Sequence, residues 1–314
     1  MITIAQSTSL SVERRCVPQG PFDLATQNRY FGGWITTTPD PGEIVMAFPV
    51  EGWQGSVAVR LRQDPTGAVV GRVDGMGAAD LDAGWRQALS VLSLDADGSG
   101  YPDAGRRDHV LGGLQEEHGY LRPVLFHSPY EAACHFVIAH RISAAQGRRI
   151  RQRMAEQHGD RVSLDGSVVS AFPTPQELLT VSSVPGVAAE KIERLHAIAR
   201  AALDGLLDRA RLRHLPVEES TAELRRLPGI GPFFSSAIVL RGAGLVDALP
   251  PDETTMAGVG RLYGLGRPAT ARELDSIGET WRPYRMWCSV LVHVAERRSR
   301  ASGAAAPARR AKPR

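Results

Sequence analysis

The N-terminal part of the chain alternates apolar and polar residues over short stretches. The clearest case is Ser56–Gln63 (SVAVRLRQ), whose alternation is typical of a half-buried strand. Tyr30–Thr38 and Gly42–Pro49 are also short and rich in β-forming residues, and a turn signal of sequence PDPG separates them. Ala68–Val73 follows another turn and gives one more strand. We expect these segments to form an antiparallel sheet.

Helical spacing first occurs at Leu81–Leu92, and the stretch that follows, Leu94–Asp108, is rich in Gly and Asp and predicts a loop. From Val110 onward the pattern is helical. Pro129–Ala145 has apolar residues on one face, and Ser128 precedes it as an N-cap with Pro in the first turn.

Another helix start lies at the sequence TPQE, in which Glu177 is placed to close a capping box with Thr174. The other predicted helices are Ala188–Leu207, Glu219–Arg226, Pro232–Gly242, Arg272–Trp281 and Pro283–Arg298. We expect a mainly α fold with three parts: an α+β domain at residues 1–115, a helical region at 116–298 and a disordered tail at 299–314.

Composition excludes several classes of protein. Of the 314 residues 43% are hydrophobic and 23% are charged, which is enough for two domains with cores of their own. No apolar run approaches the ~20 residues that span a bilayer, and no signal peptide is recognisable at the N-terminus. The three widely spaced cysteines fit a reducing cytosol and no disulfide framework.

Positive charge is concentrated at the C-terminus. The whole chain carries +3, but its last 18 residues (297–314) hold seven Arg or Lys and no acid. The rest of the chain is therefore net negative by four. Net charge does not indicate that the folded body binds nucleic acid, so a phosphate contact there must come from a local patch or from backbone dipoles. The tail itself either attracts phosphate nonspecifically or has little role.

The sequence Leu227-Pro228-Gly229-Ile230-Gly231 lies between two predicted helices. Its two glycines allow a sharp turn and a close approach of the backbone to another chain. We expect the amides of Gly229 and Gly231 to face outward at the start of the next helix, where they and the helix dipole form an anion site. Leu227 and Ile230 should point into the core. The same segment could also serve only to connect the two helices.

An acid follows this hairpin 21 residues after Gly231, in the segment LPPDET. The prolines fix the approach of the chain, and Asp252 is predicted to begin a helix. Asp252 is then either an N-cap alone or, if the hairpin holds DNA, a catalytic carboxylate. Its neighbour Glu253 is a weaker candidate for the catalytic role.

Taken together, these motifs resemble the helix-hairpin-helix/Gly-Pro-Asp DNA glycosylase superfamily, and within it the DNA-3-methyladenine glycosylase II branch. The resemblance extends from about Ser128 to Glu296. It rests on the segments SPYEAACHFVIAHRIS, FPTPQELL, LRRLPGIGPFFSSAIVLRG, LPPDE and WRPYRMW. It implies helical glycosylase domains after an N-terminal α+β domain, and base excision in which Asp252 stabilises an oxocarbenium-like transition state.

The resemblance also indicates the reaction type. Members that cut the DNA strand as well use a Lys nucleophile two residues after the second hairpin glycine, and here that position is Phe233. A phenyl ring forms no Schiff base, so we expect base removal without lyase activity. Phe233 can stack on an extruded base or can be a core residue.

Three departures concern the choice of lesion. Ala237 and His293 stand where the branch can carry pocket aromatics, so the pocket should be roomier and more polar. His293 either bonds a base edge or makes a structural hydrogen bond. In the loop after Ala139, His140 and Arg141 replace an amide and an apolar wedge. Arg141 either fills the gap left by a flipped nucleotide or holds a phosphate.

The resulting hypothesis is a monofunctional glycosylase of base excision repair that removes an alkylated purine from double-stranded DNA. We expect a monomer in the bacterial cytoplasm, associated with the nucleoid. It should need no metal or cofactor, apart from a monovalent cation that the resemblance implies at the hairpin. The alternatives are a glycosylase with another base preference and a noncatalytic DNA-binding or damage-sensing protein.

Overall fold

The computed structural model describes residues 10–31, 40–76, 78–249 and 251–301. The strands in this part of the chain are β1 (Leu10–Cys16), β2 (Glu43–Pro49), β3 (Ser56–Gln63), β4 (Val69–Gly75), β5 (Arg161–Leu164) and β6 (Ser167–Ser170).

The helices are α1 (Leu24–Phe31), α2 (Leu81–Val91), α3 (Tyr101–Arg107), α4 (His109–His118), α5 (Pro129–Ala139), α6 (Ala144–His158), α7 (Pro175–Leu178), α8 (Ala189–Leu203), α9 (Arg209–His214), α10 (Val217–Leu224), α11 (Pro232–Ala237), α12 (Glu253–Leu262), α13 (Ala271–Gly278) and α14 (Arg285–Ala301). A π-helical segment, Ile238–Ala243, continues α11, and a 3₁₀ turn, Glu279–Trp281, continues α13. The predicted mainly α fold with a small antiparallel sheet is confirmed.

The chain forms two compact units. The first comprises Met1–Gly98 and Pro123–Leu245, and the second comprises Ser99–Arg122 and Val246–Arg314. The first unit thus joins the sheet to the helices from α5 to α11. This grouping differs from the predicted division at residues 115 and 298, which stays a prediction. The predicted tail from 302 onward lies outside the described residues.

The sheet of the first unit has the order β1-β4-β3-β2, and every pair is antiparallel. One face is apolar and packs on α2. In β3 that face carries Val57, Val59 and Leu61, all fully buried. The packing is close, because a side chain at Gly71 would lie 2.7 Å from Trp85 of α2. Loss of contact at such a site costs several kcal/mol in large-to-small substitutions, about 3–5 for a Trp.

Strands β2, β3 and β4 and helix α2 confirm the pattern-based prediction, and two segments do not. The expected strand Tyr30–Thr38 is wrong at its start, because Tyr30 and Phe31 end helix α1. Residues 32–39 lie outside the described residues. Strand β1 is not predicted from the sequence, because LSVERRC is an edge strand with charged residues and little alternation of apolar and polar positions.

The predicted loop Leu94–Asp108 is also partly wrong. It contains α3, which begins after Gly100 with Pro102 in its first turn. Tyr101 and Ala104 of this helix are fully buried, and such burial in the second unit stabilises a seven-residue helix with weak local signals. The β5–β6 hairpin was likewise missed within the segment predicted to be helical.

The predicted caps of the two helix starts are confirmed. The Ser128 hydroxyl accepts the N–H of Glu131 at 3.1 Å, and Thr174 and Glu177 form a complete capping box. The expected single helix Pro129–Ala145 is two helices, however. Helix α5 ends at Ala139, and Ser143 caps α6.

The second unit is built around a close contact of α12 with α14. A side chain at Gly258 of α12 would lie 2.5 Å from Val292 of α14, so glycine allows the two backbones to approach. Trp281 and Trp287 are buried beside this pair, and Asp108 accepts a hydrogen bond from Nε1 of Trp281 at 3.0 Å. This packing fixes the start of α12 against the middle of α14. Among the described residues, no helix is long and apolar enough to cross a bilayer.

Candidate functional site

The hairpin Leu227–Gly231 connects α10 to α11. Ile230 is only 4% exposed and belongs to the core of the first unit, and Leu227 packs against the same core. Gly229 and Gly231 are exposed. Gly229 has a φ of +83°, a conformation that glycine adopts without the strain that a side chain adds. The hairpin is therefore anchored by its apolar residues and presents its glycines to solvent.

The exposed face of the hairpin carries free hydrogen-bond donors. Within the described ranges, no acceptor is bound by the amide N–H groups of Gly229, Gly231 or Phe233. Gly231 is the N-cap of α11 and offers no side chain to cap it. Unbonded amides at a helix start, with the positive end of the helix dipole, attract an anion such as a phosphate.

An arginine of α8 lies against the hairpin. A side chain at Gly229 would lie 2.8 Å from Cδ of Arg194 and 3.2 Å from its Nε. Arg194 forms an ion pair with Glu190, one turn earlier on α8, and Glu190 is largely exposed. A guanidinium beside free amides adds positive charge where the net charge of the body gives none. Sequence reasoning missed Arg194, because its proximity follows from packing between distant segments.

The hairpin also offers carbonyl oxygens. The carbonyl of Leu227 accepts the N–H of Ile230 at 3.1 Å. In the described part of the chain no N–H is donated to the carbonyls of Gly229 or Ile230. Carbonyl oxygens suit a hard cation, so these residues fit the monovalent cation that the family resemblance implies. No group of three or more His, Cys, Asp or Glu side chains that could hold a metal ion occurs among the described residues.

Phe233 and Phe234 differ sharply in environment. The side chain of Phe233 is 68% exposed, so the expected alternative of a core residue is wrong. Phe234 is half-buried, stacks on Phe136 with ring centroids 5.2 Å apart, and packs against the core. Phe233 contacts Phe234 at 5.8 Å. Ala237, the last residue of α11, is half-buried.

The loop after Ala139 lies near this aromatic pair. The His140 ring meets the Phe234 ring edge-on at 5.8 Å. Arg141 is exposed and has a φ of +60°, unusual for a residue with a side chain. Lys191 of α8 donates from Nζ to the carbonyls of Ile138 and His140, both at 2.8 Å, and so ends α5 and holds the loop. The structure thus brings together His140, Phe233 and the hairpin, all within the first unit.

Asp252 lies in the second unit, at the start of α12. Its Oδ1 accepts the amide N–H groups of Thr254 and Thr255, each at 3.0 Å, so the predicted helix start is confirmed. Its Oδ2 accepts the hydroxyl of Thr255, which is fully buried. The Asp252 side chain is 24% exposed. Neighbouring Glu253 is exposed to solvent.

His293 of α14 contacts the same carboxylate. Its Nε2 lies 3.1 Å from Oδ1 and 3.3 Å from Oδ2 of Asp252, and 2.8 Å from the hydroxyl oxygen of Thr255. Of the two roles expected for His293, the structural hydrogen bond is therefore present. Thr255 was not predicted, and its only sequence signal is its position three residues after an N-cap.

Burial and hydrogen bonding act in opposite directions on Asp252. Burial raises the pKa of the carboxyl, but the hydrogen bonds and charge of His293 and the hydrogen bonds of Thr255 outweigh it and lower the pKa to about 2. Asp252 is therefore a carboxylate at neutral pH. A fixed, partly buried carboxylate can stabilise positive charge that develops next to it.

Two of the curated proteins that this chain is similar to are named as DNA-3-methyladenine glycosylases. The DNA-3-methyladenine glycosylase of Bacillus subtilis is 22% identical over 207 residues, which cover 63% of this chain and 67% of that protein. DNA-3-methyladenine glycosylase 2 of Escherichia coli is 27% identical over 171 residues, which cover 52% of this chain and 56% of that protein. No protein-family model matches the chain.

Solved structures agree on the fold. The 3-methyladenine DNA glycosylase of Archaeoglobus fulgidus superposes with a TM-score of 0.70 at 20% identity, over 91% of this chain and 98% of that one. An 8-oxoguanine glycosylase/lyase of Clostridium acetobutylicum superposes with a TM-score of 0.61 at 17% identity, over 90% and 93%. The resemblance drawn from the sequence motifs is confirmed: the chain is similar to DNA-3-methyladenine glycosylases and has the helix-hairpin-helix glycosylase fold.

Proposed function

We propose that the chain is a monofunctional DNA glycosylase of base excision repair, which hydrolyses the N-glycosidic bond of an alkylated purine in double-stranded DNA. One observation carries the proposal. In a chain with this fold, Asp252 is a carboxylate held by hydrogen bonds from three residues, yet its side chain remains 24% exposed. A helix N-cap needs no contact with His293, so capping alone does not account for this arrangement.

The hairpin binds the DNA backbone. A phosphate accepts hydrogen bonds from the free amides of Gly229 and Gly231, with Leu227 and Ile230 anchoring the turn. Arg194 lies close enough to the hairpin to contribute a charged contact. Backbone contacts of this kind fix the register of a protein on a duplex and carry no sequence information.

The exposed residues near the hairpin handle the extruded nucleotide. Phe233 stacks on the flipped base, and Arg141 fills the gap left in the duplex or contacts a phosphate beside it. His140 contacts the Phe234 ring, and Ala237 lies on α11 four residues after Phe233; both affect the size of the base pocket. The exposure of Phe233 supports this role, because a large aromatic side chain gains little by facing water.

The reaction separates the base with the bonding electron pair and leaves an oxocarbenium-like sugar. The Asp252 carboxylate stabilises that cation by its charge, and water then adds to C1′. Strand cleavage does not follow, because Phe233 stands where a glycosylase/lyase of this fold carries a Lys nucleophile. A positively charged base, such as 3-methyladenine or 7-methylguanine in DNA, leaves as a neutral molecule without a proton donor.

The decisive experiment is a base-release assay on methylated duplex DNA, with the released bases identified by mass. We expect free alkylated purines and no strand nicks before alkali treatment, and no borohydride-trapped protein–DNA adduct. Release of a different base indicates a glycosylase with another preference. Tight binding of damaged duplex without release of any base indicates the noncatalytic alternative. Borohydride trapping would contradict the monofunctional assignment.

A further inference from the structure

The hydrogen-bond donors around Asp252 determine which nitrogen of His293 carries hydrogen. A carboxylate only accepts hydrogen bonds. The single hydroxyl hydrogen of Thr255 is donated to Oδ2 of Asp252, so the oxygen of that hydroxyl can only accept from Nε2 of His293. Nε2 therefore faces three acceptor oxygens and must itself be the donor. In the neutral imidazole this leaves the lone pair on Nδ1.

The same contacts use the acceptor capacity of Asp252. A carboxylate has about four lone-pair positions. Oδ1 accepts hydrogen bonds from the amides of Thr254 and Thr255, and it lies 3.1 Å from Nε2 of His293. Oδ2 accepts a hydrogen bond from the Thr255 hydroxyl and lies 3.3 Å from the same nitrogen. Both oxygens are thus bonded before any substrate arrives. A carboxylate in this state keeps its charge and is a poor acceptor for a further proton.

We propose that His293 is a positioning residue for Asp252, whose Nε2–H, together with the Thr255 hydroxyl, fixes the carboxylate as an anion that stabilises the sugar cation and takes no proton from water. The inference rests on the proposed function and goes beyond it by assigning a role to His293. The bond from C1′ to the base nitrogen breaks, and the electron pair leaves with the base. The oxygen of water then bonds to C1′, and the proton that it loses passes to solvent water.

This assignment excludes direct reading of the base edge by Nε2. That atom is committed to Asp252 and Thr255. Loss of the Nε2–H should therefore impair Asp252 in the same way for every lesion. A residue that contacts the base would instead affect each lesion differently.

The test measures single-turnover base release and DNA affinity on two duplexes, one with 3-methyladenine and one with 7-methylguanine. We expect His293→Ala to slow release about 10- to 100-fold, by the same factor on both lesions, with unchanged affinity. His293→Gln should recover to within a few-fold of the wild-type rate, because its amide nitrogen can donate from the position of Nε2. The matched control is His109→Gln, an exposed histidine at the start of α4, which should leave the rate unchanged.

Three results would overturn the proposal. They are an unchanged rate in His293→Ala, a loss that differs clearly between the two lesions, and a folded His293→Gln protein as slow as the Ala variant. A spectroscopic measurement decides the hydrogen-bond arrangement independently of activity. The ¹⁵N shifts of His293 should show hydrogen on Nε2 and none on Nδ1 in the neutral protein, and the opposite tautomer would contradict the proposal. If the wild type releases no base, the proposed function fails, and the tautomer still tests the arrangement.

Discussion

Two helices of this protein begin with opposite arrangements of their hydrogen-bonding groups. Helix α11 follows Gly231, which has no side chain, and in the described part of the chain the amides of Gly229, Gly231 and Phe233 have no acceptor. Helix α12 follows Asp252, whose carboxylate accepts two amides of its own first turn. The first helix start leaves its amide donors available to an anion from outside the protein. The second is capped by the protein's own carboxylate.

One property of helices thus serves two purposes in this protein. The positive end of the dipole and the unpaired amides are present at every helix start. With glycine at the N-cap they remain available to an external anion, which we propose is a DNA phosphate. With aspartate they hold a carboxylate in a fixed orientation as an anion. Contacts from Thr255 and His293 then restrict that carboxylate further. Five predictions test this contrast.

The largest effect should follow replacement of the acid at α12. Asp252→Asn keeps an N-cap, since asparagine caps helices as well as aspartate does, but removes the negative charge. We expect single-turnover base release to fall about 10²- to 10³-fold or more, with DNA affinity retained. The matched control is Glu253→Gln, an exposed neighbour whose loss should leave the rate unchanged. If the two variants behaved alike, the role of Asp252 would have to be abandoned.

The next effect concerns the uncapped helix. Gly231 has a φ of −88° and no atom within 4 Å of the position of a side-chain Cβ, so alanine fits in the free protein. The lower entropy of the unfolded chain favours alanine and the N-cap position favours glycine, so we expect little change in stability. If a DNA phosphate binds at this turn as proposed, the added methyl group would stand in its way. We expect Gly231→Ala to weaken lesion-DNA binding about 10-fold or more, measured by fluorescence anisotropy. Wild-type affinity in this variant would show that phosphate does not bind at this turn.

Stability should depend on pH through Asp252. Its pKa is lowered from 3.8 to about 2, so ionisation stabilises the fold above pH ~4, and this contribution is lost as pH falls from about 4 towards 2. Lowering the pKa from 3.8 to about 2 corresponds to roughly 2–3 kcal/mol of stability. We expect the advantage of wild type over Asp252→Asn in urea unfolding to be constant between pH 7 and 5 and smaller at pH 3.5. An advantage that disappeared between pH 7 and 5 would point to another group.

Substitutions of the adjacent residues Phe233 and Phe234 should have different effects, one on binding of the flipped base and the other on protein stability. Phe233→Ala removes an exposed ring, so we expect little change in the unfolding midpoint and a loss of about 1–3 kcal/mol in capture of the flipped base. Phe234→Ala removes a ring that stacks on Phe136, so it should lower stability by about 2 kcal/mol or more. A fluorescent base analogue at the lesion site reports the capture. The reverse pattern would assign the base contact to Phe234.

The smallest effect concerns charge at the hairpin. If Arg194 contacts a phosphate, Arg194→Gln should reduce the slope of log affinity against log salt by about one. Arg200, exposed nearly two turns further along α8, provides the matched control, and Arg200→Gln should leave the slope unchanged. Equal slopes for all three proteins would restrict the backbone contact to the amides.

The predictable parts of the fold are those with local causes. β3 and α2 follow from the spacing of apolar residues, and the starts of α5 and α7 follow from their capping residues. The hairpin and the helix start at Asp252 were predictable for the same reason. Each signal lies within a few neighbouring residues and can be recognised from the sequence alone.

The parts that escaped prediction depend on distant partners. α5 ends at Ala139 because Lys191, 53 residues beyond Ile138, binds the carbonyls at its end. The contact of His293 with Asp252 joins residues 41 positions apart, across the packing of α12 on α14. β1 is held by pairing with β4 and not by its own pattern. Such contacts depend on tertiary packing, which cannot be inferred from a short segment of sequence.

The most direct test of the contrast between the two helix starts measures Asp252→Asn and Gly231→Ala together, for DNA affinity and for single-turnover release on the same alkylated duplex. We predict that each variant loses one of the two activities and keeps the other. Asp252→Asn should bind as the wild type does and release almost no base, and Gly231→Ala should bind weakly but release base at a near wild-type rate when DNA is saturating. Base release at the wild-type rate by Asp252→Asn would contradict the catalytic role of Asp252, and wild-type DNA affinity of Gly231→Ala would contradict phosphate binding at the hairpin.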